Sequence, residues 1–193
     1  AAPSPPSYLL VGDSATAARL AGTAPRPLLV GKPELGAEIA YDVPNSPTLI
    51  CTHTLRDRTI IHRTGAGARG ILHATAADEV IVAGFVNVAA VARYVRLRAP
   101  AELTLVAMGH EGTERSLEDE LCAEAIAVTL SGGAFDLRPW IDQLRDGPGR
   151  YFFTGAEDEY PNADFERCIE LDRFPFVLRA DLHGDYAELH RTV

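Results

Sequence analysis

TIIHRTGAGARG, residues 59–70, is the stretch from which the fold is predicted. A short apolar run at 59–62 leads into a glycine loop, and a helical stretch follows from Arg69. A strand, a glycine turn and a helix in this order form the repeating unit of α/β proteins. The segment therefore predicts a strand whose carboxyl end leads into a helix.

The same pattern recurs on both sides of this segment. Apolar runs at 8–11, 27–30, 79–83 and 103–107 also end at or near a glycine, and helical stretches are predicted at 15–21, 69–75, 87–98 and 116–130. Asp13 or Ser14 is expected to cap the first of these helices. Short apolar strands that alternate with helices predict an α/β fold, in which a mostly parallel sheet has helices on both faces.

The chain is predicted to be a single domain over residues 8–193, with a looser C-terminal part at 131–193. That part contains a predicted helix at 137–144, broken near Pro139, another at 164–171 and a final strand at 174–178. Residues 1–7 lack both the charged and the apolar region of a signal peptide, so they are not expected to be one, and they are predicted to be a disordered lead.

Composition narrows the possible classes of protein. With 193 residues, 47% of them apolar, and a mean hydropathy of -0.01, the chain is expected to be globular and to lack a membrane span. A net charge of -9 disfavours nucleic acid as a partner. Cys51, Cys122 and Cys168 are far apart and odd in number, which favours neither disulfides nor zinc and predicts a cytoplasmic protein.

The glycine loop fits the G-x-G-x-x-G pattern of dinucleotide-binding proteins. That function also needs an acidic residue about 20 residues further on, and Asn87 is the nearest polar residue there. Arg63 and Arg69 flank the loop, which suits a phosphate or another oxyanion bound by backbone N–H groups and guanidinium. A phosphate site, a nicotinamide site and a turn without a ligand are the three alternatives.

A second segment, Gly31-Lys32-Pro33-Glu34, directly follows a predicted strand. Lys32 is the single lysine among 18 basic residues and offers an ammonium to a substrate anion. Glu34 offers a carboxylate to a metal or a water molecule. The alternative is a solvated turn, because isolated lysines and glutamates are mostly exposed.

A third segment, Pro44-Asn45-Ser46-Pro47, holds two polar side chains between prolines that restrict the backbone. Asn45 and Ser46 are therefore expected either to face a ligand in a fixed orientation or to satisfy only the backbone of a turn.

A fourth segment, Ser116-Leu117-Glu118-Asp119-Glu120, begins a predicted helix. Ser116 and Asp119 resemble a capping box, and acidic residues are favourable at a helix N-terminus. The alternative is that one or two of the acids bind Mg²⁺ through oxygen. Because ligands of parallel sheets bind beyond the carboxyl ends of strands, the turns at Gly31, Gly65, Gly84 and Gly109 are expected to share one cleft.

In this order, the segments resemble the 2-phosphosulfolactate phosphatase family. The resemblance rests on residues 31–34, 45–47, 61–67, 83–87 and 117–123, with a looser similarity at 164–168. The family usually has Thr-Asn-Gly-Thr at the glycine loop, and its opening Asp-x-x-Arg-Ala segment would precede Tyr8. The chain is therefore expected to be either a diverged or an N-terminally truncated member.

The resemblance implies a Mg²⁺-dependent phosphatase that acts on 2-phospho-3-sulfolactate or a similar small 2-phospho-hydroxy acid. The alternatives are an inactive member that binds an anionic metabolite, and a nicotinamide-dependent oxidoreductase. A homo-oligomer is left open. The site residues expected from the resemblance and from the segments above are catalytic Glu34, Asn45, Ser46, Asn87 and Asp119, metal-binding Glu118 and Asp119, and substrate-binding Lys32, Arg63, Thr64, Gly65, Gly67 and Arg69.

Overall fold

A computed structural model describes residues 7–193 of the chain. Its strands are β1 Ser7–Val11, β2 Pro27–Gly31, β3 Thr59–Arg63, β4 Val80–Val82, β5 Val177–Leu182 and β6 Tyr186–Thr192. Its α-helices are α1 Ser14–Ala21, α2 Pro47–Ile50, α3 Ala66–His73, α4 Val88–Arg98, α5 Leu117–Leu130, α6 Ile141–Asp146 and α7 Asn162–Ile169. Short 3₁₀ helices occupy Phe85–Asn87, Arg138–Trp140 and Arg150–Phe153.

The strands form a mixed sheet with the order β2-β3-β1-β6-β5-β4. β1 and β2 both pair in parallel with β3, so that Leu10 and Val30 each lie opposite His62. β6 pairs with β1 in antiparallel orientation. The predicted α/β fold is confirmed, and the predicted mostly parallel sheet is confirmed only in part.

The chain folds into two compact units. One comprises the described residues up to Val80 together with Arg179–His190, and the other comprises Ile81–Leu178 and Arg191–Val193. The assignment of residues 8–193 to one domain stays a prediction. Residues 1–6 of the expected lead lie outside the described residues, and Ser7 begins β1.

The first unit has a core on each face of its parallel strands, because successive side chains of a strand point to opposite faces. On one face, Val11 and Ile61 pack against Ala17 and Leu20 of α1. The other face carries two clusters, one of which includes Leu49 and Ile50 of α2 and the other Ala68, Ile71 and Leu72 of α3. Helices thus cover both faces here, as the sequence predicts.

The second unit is mainly helical. α4 packs on α5 through Val88, Val91, Tyr94, Ala125 and Ile126. An adjoining cluster contains Phe85, Leu121, Leu137, Leu144 and Phe165, and so joins the start of this unit to α6 and α7. The predicted helix break near Pro139 is confirmed, since a 3₁₀ turn at Arg138–Trp140 precedes α6.

Two predictions from apolar runs are wrong in detail. Residues 103–107 form no strand, because Leu103 and Val106 are 44% and 69% exposed and only Leu105 packs against the core. An apolar run gains little from strand formation when its side chains stay in water. The final strand lies at Val177–Leu182 rather than 174–178, and β6 was not predicted because Tyr186–Thr192 mixes polar and apolar residues.

Candidate functional site

In the first unit, polar residues collect where β1, β2 and β3 end. Asp13 follows β1 and caps α1 by accepting a hydrogen bond from Thr16 N at 2.7 Å, which confirms one of the two predicted caps. β3 ends at Arg63, and the glycine loop then leads into α3. Because the three strands are parallel, their carboxyl ends and the starts of both helices lie at one edge of the sheet.

Gly31 makes the close packing of this edge possible. Its φ is +125°, and a Cβ atom built on it would lie 2.1 Å from the carbonyl oxygen of Arg63. Only glycine tolerates both the backbone conformation and this approach. The end of β2 therefore lies tightly against the end of β3, which brings the segment after Gly31 next to Arg63.

The Glu34 cluster, defined as Ser14, Glu34, Tyr41 and Arg63, occupies the α1 side of this edge. Ser14 N lies 3.1 Å from each carboxylate oxygen of Glu34, and the Ser14 hydroxyl donates to the same carboxylate. Tyr41 OH lies 3.2 Å from Ser14 Oγ. The carboxylate is thus bound at the N-terminus of α1, where the helix dipole favours a negative charge.

Arg63 connects this cluster to the segment after β2. Its Nη2 lies 3.3 Å from Glu34 Oε1, and its Nη1 donates to the Lys32 carbonyl oxygen at 2.8 Å. Within the described residues, Arg63 Nε is buried and has no hydrogen-bond partner. Three of the predicted residues, Lys32, Glu34 and Arg63, are therefore brought together.

The surroundings of Glu34 act on its pKa in opposite directions. Partial desolvation raises the pKa, whereas the hydrogen bonds from Ser14 and the charge of Arg63 lower it. The lowering effects prevail, and the pKa of Glu34 lies below its ordinary value. Glu34 is therefore ionised at neutral pH.

The His62 cluster, defined as Tyr8, Asn45 and His62, lies on the opposite face of the sheet, because His62 and Arg63 are consecutive strand residues. Tyr8 OH is hydrogen-bonded to His62 Nδ1, and His62 Nε2 lies 2.9 Å from Asn45 Oδ1. The predicted residue Asn45 thus contacts a histidine that the sequence did not single out.

Ser46 has a structural contact of its own. Its hydroxyl oxygen accepts a hydrogen bond from Leu49 N at 3.0 Å and caps α2, in which Pro47 holds the first position. The side chain is buried. This geometry favours the turn interpretation for Ser46, whereas Asn45 contacts another side chain. A catalytic role for Ser46 stays a prediction.

The glycine loop begins α3 without a side-chain cap. Gly65 occupies the N-cap position, and a Cβ atom added at Gly65 or Gly67 would meet nothing within 4 Å. Open space beside uncapped N–H groups suits the binding of an anion. Thr64 and Arg69 belong to the same segment, and the substrate-binding roles of all four residues stay predictions.

In the second unit, Asn87 is buried and engaged on both sides of its amide. Asn87 Oδ1 accepts from Gly84 N at 3.0 Å, and Asn87 Nδ2 donates to the Phe176 carbonyl oxygen at 3.4 Å. These contacts hold the 3₁₀ turn that begins α4. They give Asn87 a structural function beside the predicted catalytic one.

The acidic residues at the start of α5 also have partners within this unit. Glu118 accepts a hydrogen bond from the Ser116 hydroxyl at 2.5 Å, and Asp119 accepts from Gly109 N at 2.6 Å. Ser116 occupies the N-cap position but makes no side-chain capping bond, so the predicted capping box is wrong. The Ser116 hydroxyl bonds to Glu118 instead of the backbone.

The carboxylates of this segment bear on whether the chain can hold Mg²⁺. Among the residues that the structure describes, no group of three or more His, Cys, Asp or Glu residues is close enough together to hold a metal ion. Mg²⁺ is often held by one or two carboxylates together with substrate phosphate oxygens. The metal-binding roles of Glu118 and Asp119 and the catalytic role of Asp119 stay predictions.

Ser14, Tyr8, Tyr41 and His62 were missed by the sequence analysis as site residues. Ser14 directly follows a strand end and a helix cap, which is a usable signal at the carboxyl edge of a parallel sheet. The three aromatic residues gave no comparable signal, since their contacts join segments far apart in the chain. The expectation that residues of both units share one cleft stays a prediction.

The strand ends, helix starts and charged groups define an α/β protein in which the carboxyl edge of the parallel strands carries charged side chains and helix N-termini. A family model described as 2-phosphosulpholactate phosphatase matches residues 8–145. The chain belongs to the 2-phosphosulfolactate phosphatase family.

Curated relatives support this assignment. A probable 2-phosphosulfolactate phosphatase of Synechococcus sp. (strain JA-2-3B'a(2-13)) is 32% identical over 170 residues, which cover 79% of this chain and 69% of the relative. A second probable 2-phosphosulfolactate phosphatase, from Synechococcus sp. (strain JA-3-3Ab), is 34% identical over 182 residues, which cover 86% of this chain and 74% of the relative. A third, from Bacillus subtilis (strain 168), is 25% identical over 190 residues, which cover 96% of this chain and 81% of the relative. Across residues 7–193, no helix has both the length and the apolar character for crossing a membrane.

Proposed function

We propose that this chain is a Mg²⁺-dependent phosphatase that hydrolyses a small 2-phospho-hydroxy acid such as 2-phospho-3-sulfolactate. The observation that carries the proposal is the Glu34 cluster, in which Arg63 and the N-terminus of α1 meet at the carboxyl edge of the parallel strands. The family membership supplies the substrate class.

The charge of the substrate explains why such an edge is needed. The chain has a net charge of -9, so a substrate with several negative charges must meet local positive charge. Lys32, Arg63 and Arg69 supply cations in the first unit, and the uncapped start of α3 supplies N–H donors. Phosphoryl transfer depends mainly on positioning and on neutralisation of anionic oxygens.

Glu34 acts in this proposal as a positioning residue. A carboxylate whose pKa lies below its ordinary value is a weak general base at neutral pH. Its contacts instead hold Ser14 and the Arg63 guanidinium in fixed orientations. The guanidinium is thereby kept at the strand end.

Glu118 and Asp119 are the residues that would hold Mg²⁺. When bound, the ion would polarise phosphoryl oxygens and offset their charge. Each carboxylate is already oriented by a donor of its own unit, Ser116 for Glu118 and Gly109 for Asp119. Such orientation of metal-binding carboxylates is usual in proteins.

The proposal is tested by phosphate release from 2-phospholactate and 2-phospho-3-sulfolactate, with Mg²⁺ and with EDTA. Turnover with Mg²⁺ and its loss in EDTA are expected. Glu118→Ala and Asp119→Ala should each reduce turnover at least about tenfold, by loss of a charged contact. Glu124→Ala, which removes an exposed acid of the same helix, should leave turnover unchanged.

The other outcomes separate the alternatives. Activity that persists in EDTA would contradict the metal requirement. Binding of phosphate or sulfolactate without turnover would favour the inactive, anion-binding alternative. If calorimetry shows binding of NAD(H) and no phosphate is released from either ester, the oxidoreductase alternative is favoured.

A further inference from the structure

The His62 cluster has no part in the function described so far, although its three residues come from distant segments. Tyr8 lies on β1, His62 on β3, and Asn45 on the segment between β2 and α2. The Tyr8 and His62 rings meet edge to face, with centroids 5.8 Å apart and planes at 87°. Both hydrogen bonds and this ring contact fix the imidazole in one orientation.

The direction of the hydrogen bonds follows from the acceptor on Asn45. In the orientation that places Oδ1 towards His62, the Asn45 carboxamide accepts the hydrogen bond, and His62 Nε2 then carries the donated proton. His62 Nδ1 then has a lone pair and accepts from the Tyr8 hydroxyl. Burial lowers the pKa of His62 to about 4 and raises that of Tyr8 above its ordinary value. The cluster is therefore uncharged at neutral pH and orients groups without transferring protons.

The contact with His62 fixes the orientation of the Asn45 carboxamide. Its backbone is restrained between Pro44 and Pro47, and the neighbouring Ser46 is fixed as the cap of α2. The Asn45 residue itself is exposed. With its oxygen held by His62, the amide nitrogen points away from His62 within the carboxamide plane.

We propose that Tyr8 and His62 are positioning residues that lock the Asn45 carboxamide, so that its NH₂ group donates to an anionic oxygen of the substrate. This proposal rests on the proposed function, because it names the substrate group that Asn45 binds. It also gives Asn45 a single role as a donor and excludes its oxygen from metal binding. The role differs from that of the next residue, Ser46, whose side-chain oxygen caps a helix.

The first test does not depend on activity. Nitrogen NMR of the histidine side chains in the resting full chain should show His62 as the neutral Nε2–H tautomer, and Tyr8→Phe should change the Nδ1 signal. A neutral Nδ1–H tautomer or a charged ring at pH 7 would overturn the proposal, since Asn45 would then be oriented the other way or not at all.

The second test measures the kinetic effect of the cluster. Tyr8→Phe and Asn45→Ala should each raise KM about three- to tenfold, which is the loss expected for one hydrogen bond. Their effects should not add in the double variant, because both act through the same contact. Tyr151→Phe, which removes a hydroxyl elsewhere, is the matched control and should leave KM unchanged. Additive effects, or a loss of stability with KM unchanged, would overturn the proposal.

Two substitutions of His62 distinguish the effect of lost hydrogen bonds from the effect of lost packing. His62→Gln retains an amide that can accept from Tyr8 and donate to Asn45, and it should keep KM near the starting value. His62→Leu fills similar space without these contacts and should raise KM about tenfold. If the chain shows no turnover, the same variants are compared by calorimetric titration with inorganic phosphate. Unchanged phosphate affinity in Asn45→Ala would then overturn the proposal that the Asn45 amide donates to the substrate. The NMR measurement separately tests whether His62 holds the Asn45 oxygen.

Discussion

Ser14 N lies 3.1 Å from both carboxylate oxygens of Glu34, so that a glutamate from the segment after β2 occupies the N-terminus of the helix after β1. The contact ties two strand ends together through a charge and a helix dipole. Arg63, at the end of the third parallel strand, contacts the same carboxylate. The ionised Glu34 side chain thus contacts residues at the carboxyl ends of two neighbouring strands, β1 and β3.

Glu34→Gln should make stability less dependent on pH in the acid range. The pKa of Glu34 is lowered in the folded chain, so the unfolded chain binds more protons and stability falls as the pH drops below about 4.5. Glu34→Gln lacks this pH-dependent contribution, and its free energy of unfolding at pH 7 should be about 1 kcal/mol lower. Urea unfolding between pH 7 and pH 3 measures both effects. Glu38→Gln, an exposed neighbour, is the control; an identical pH dependence of the chain and Glu34→Gln would contradict the prediction.

His62 should contribute a separate pH dependence. Burial lowers its pKa from 6.5 to about 4 in the folded chain. The unfolded chain then binds the additional proton first, so stability should fall as the pH drops from about 6.5 to 4 and level off below that range. His62→Gln should flatten this part of the curve, whereas His53→Gln, at an exposed position, should not. Equal curves for the two variants would argue against a lowered pKa of His62 in the folded chain.

Gly31→Ala should destabilise the fold much more than Gly36→Ala. The added Cβ atom would approach the Arg63 carbonyl oxygen to 2.1 Å at a φ of +125°. We expect a loss of at least about 3 kcal/mol in the free energy of unfolding. Gly36→Ala, where φ is also positive but space is open, should cost only about 1 kcal/mol. Similar losses in the two variants would show that the close approach to β3 is not critical.

Arg63→Lys should weaken substrate binding although the charge is kept. One ammonium cannot reproduce the forked contact with the Lys32 carbonyl oxygen and the Glu34 carboxylate. KM for the phosphate ester should rise about tenfold and stability should fall by about 1 kcal/mol. Arg56→Lys, at an exposed position, is the control for steady-state kinetics and thermal unfolding. An unchanged KM in Arg63→Lys would show that Arg63 stabilises the segment after β2 without binding the substrate.

Asn87→Ala should destabilise the second unit, because it leaves Gly84 N and the Phe176 carbonyl oxygen without their partner. The expected loss is about 1–3 kcal/mol. The decisive measurement is turnover per folded molecule at low temperature. A normal value would make Asn87 structural, and a strong decrease would support the catalytic role that the resemblance implies. Asn87→Asp keeps the acceptor for Gly84 and separates the two contacts.

Local sequence patterns predicted much of the fold. The strands at 8–11, 27–30 and 59–62, the cap at Asp13 and the break near Pro139 depend on residues within one turn or one strand of each other. The segment 103–107 was predicted wrongly because its pattern is that of a buried strand, and burial depends on residues elsewhere in the chain.

For the site, the sequence by itself determined which polar residues lie at the strand ends: Lys32, Glu34, Arg63 and the glycine loop end or follow short apolar runs, and parallel pairing brings such ends together. Only the tertiary structure decided that Ser14 binds Glu34, and that Tyr8 reaches His62 across 54 residues of sequence. It also decided which side chains His62 and Arg63 contact on the two faces of the sheet. The physical reason is that periodicity and capping are local, whereas hydrogen bonds between side chains depend on strand register and on which face each residue occupies.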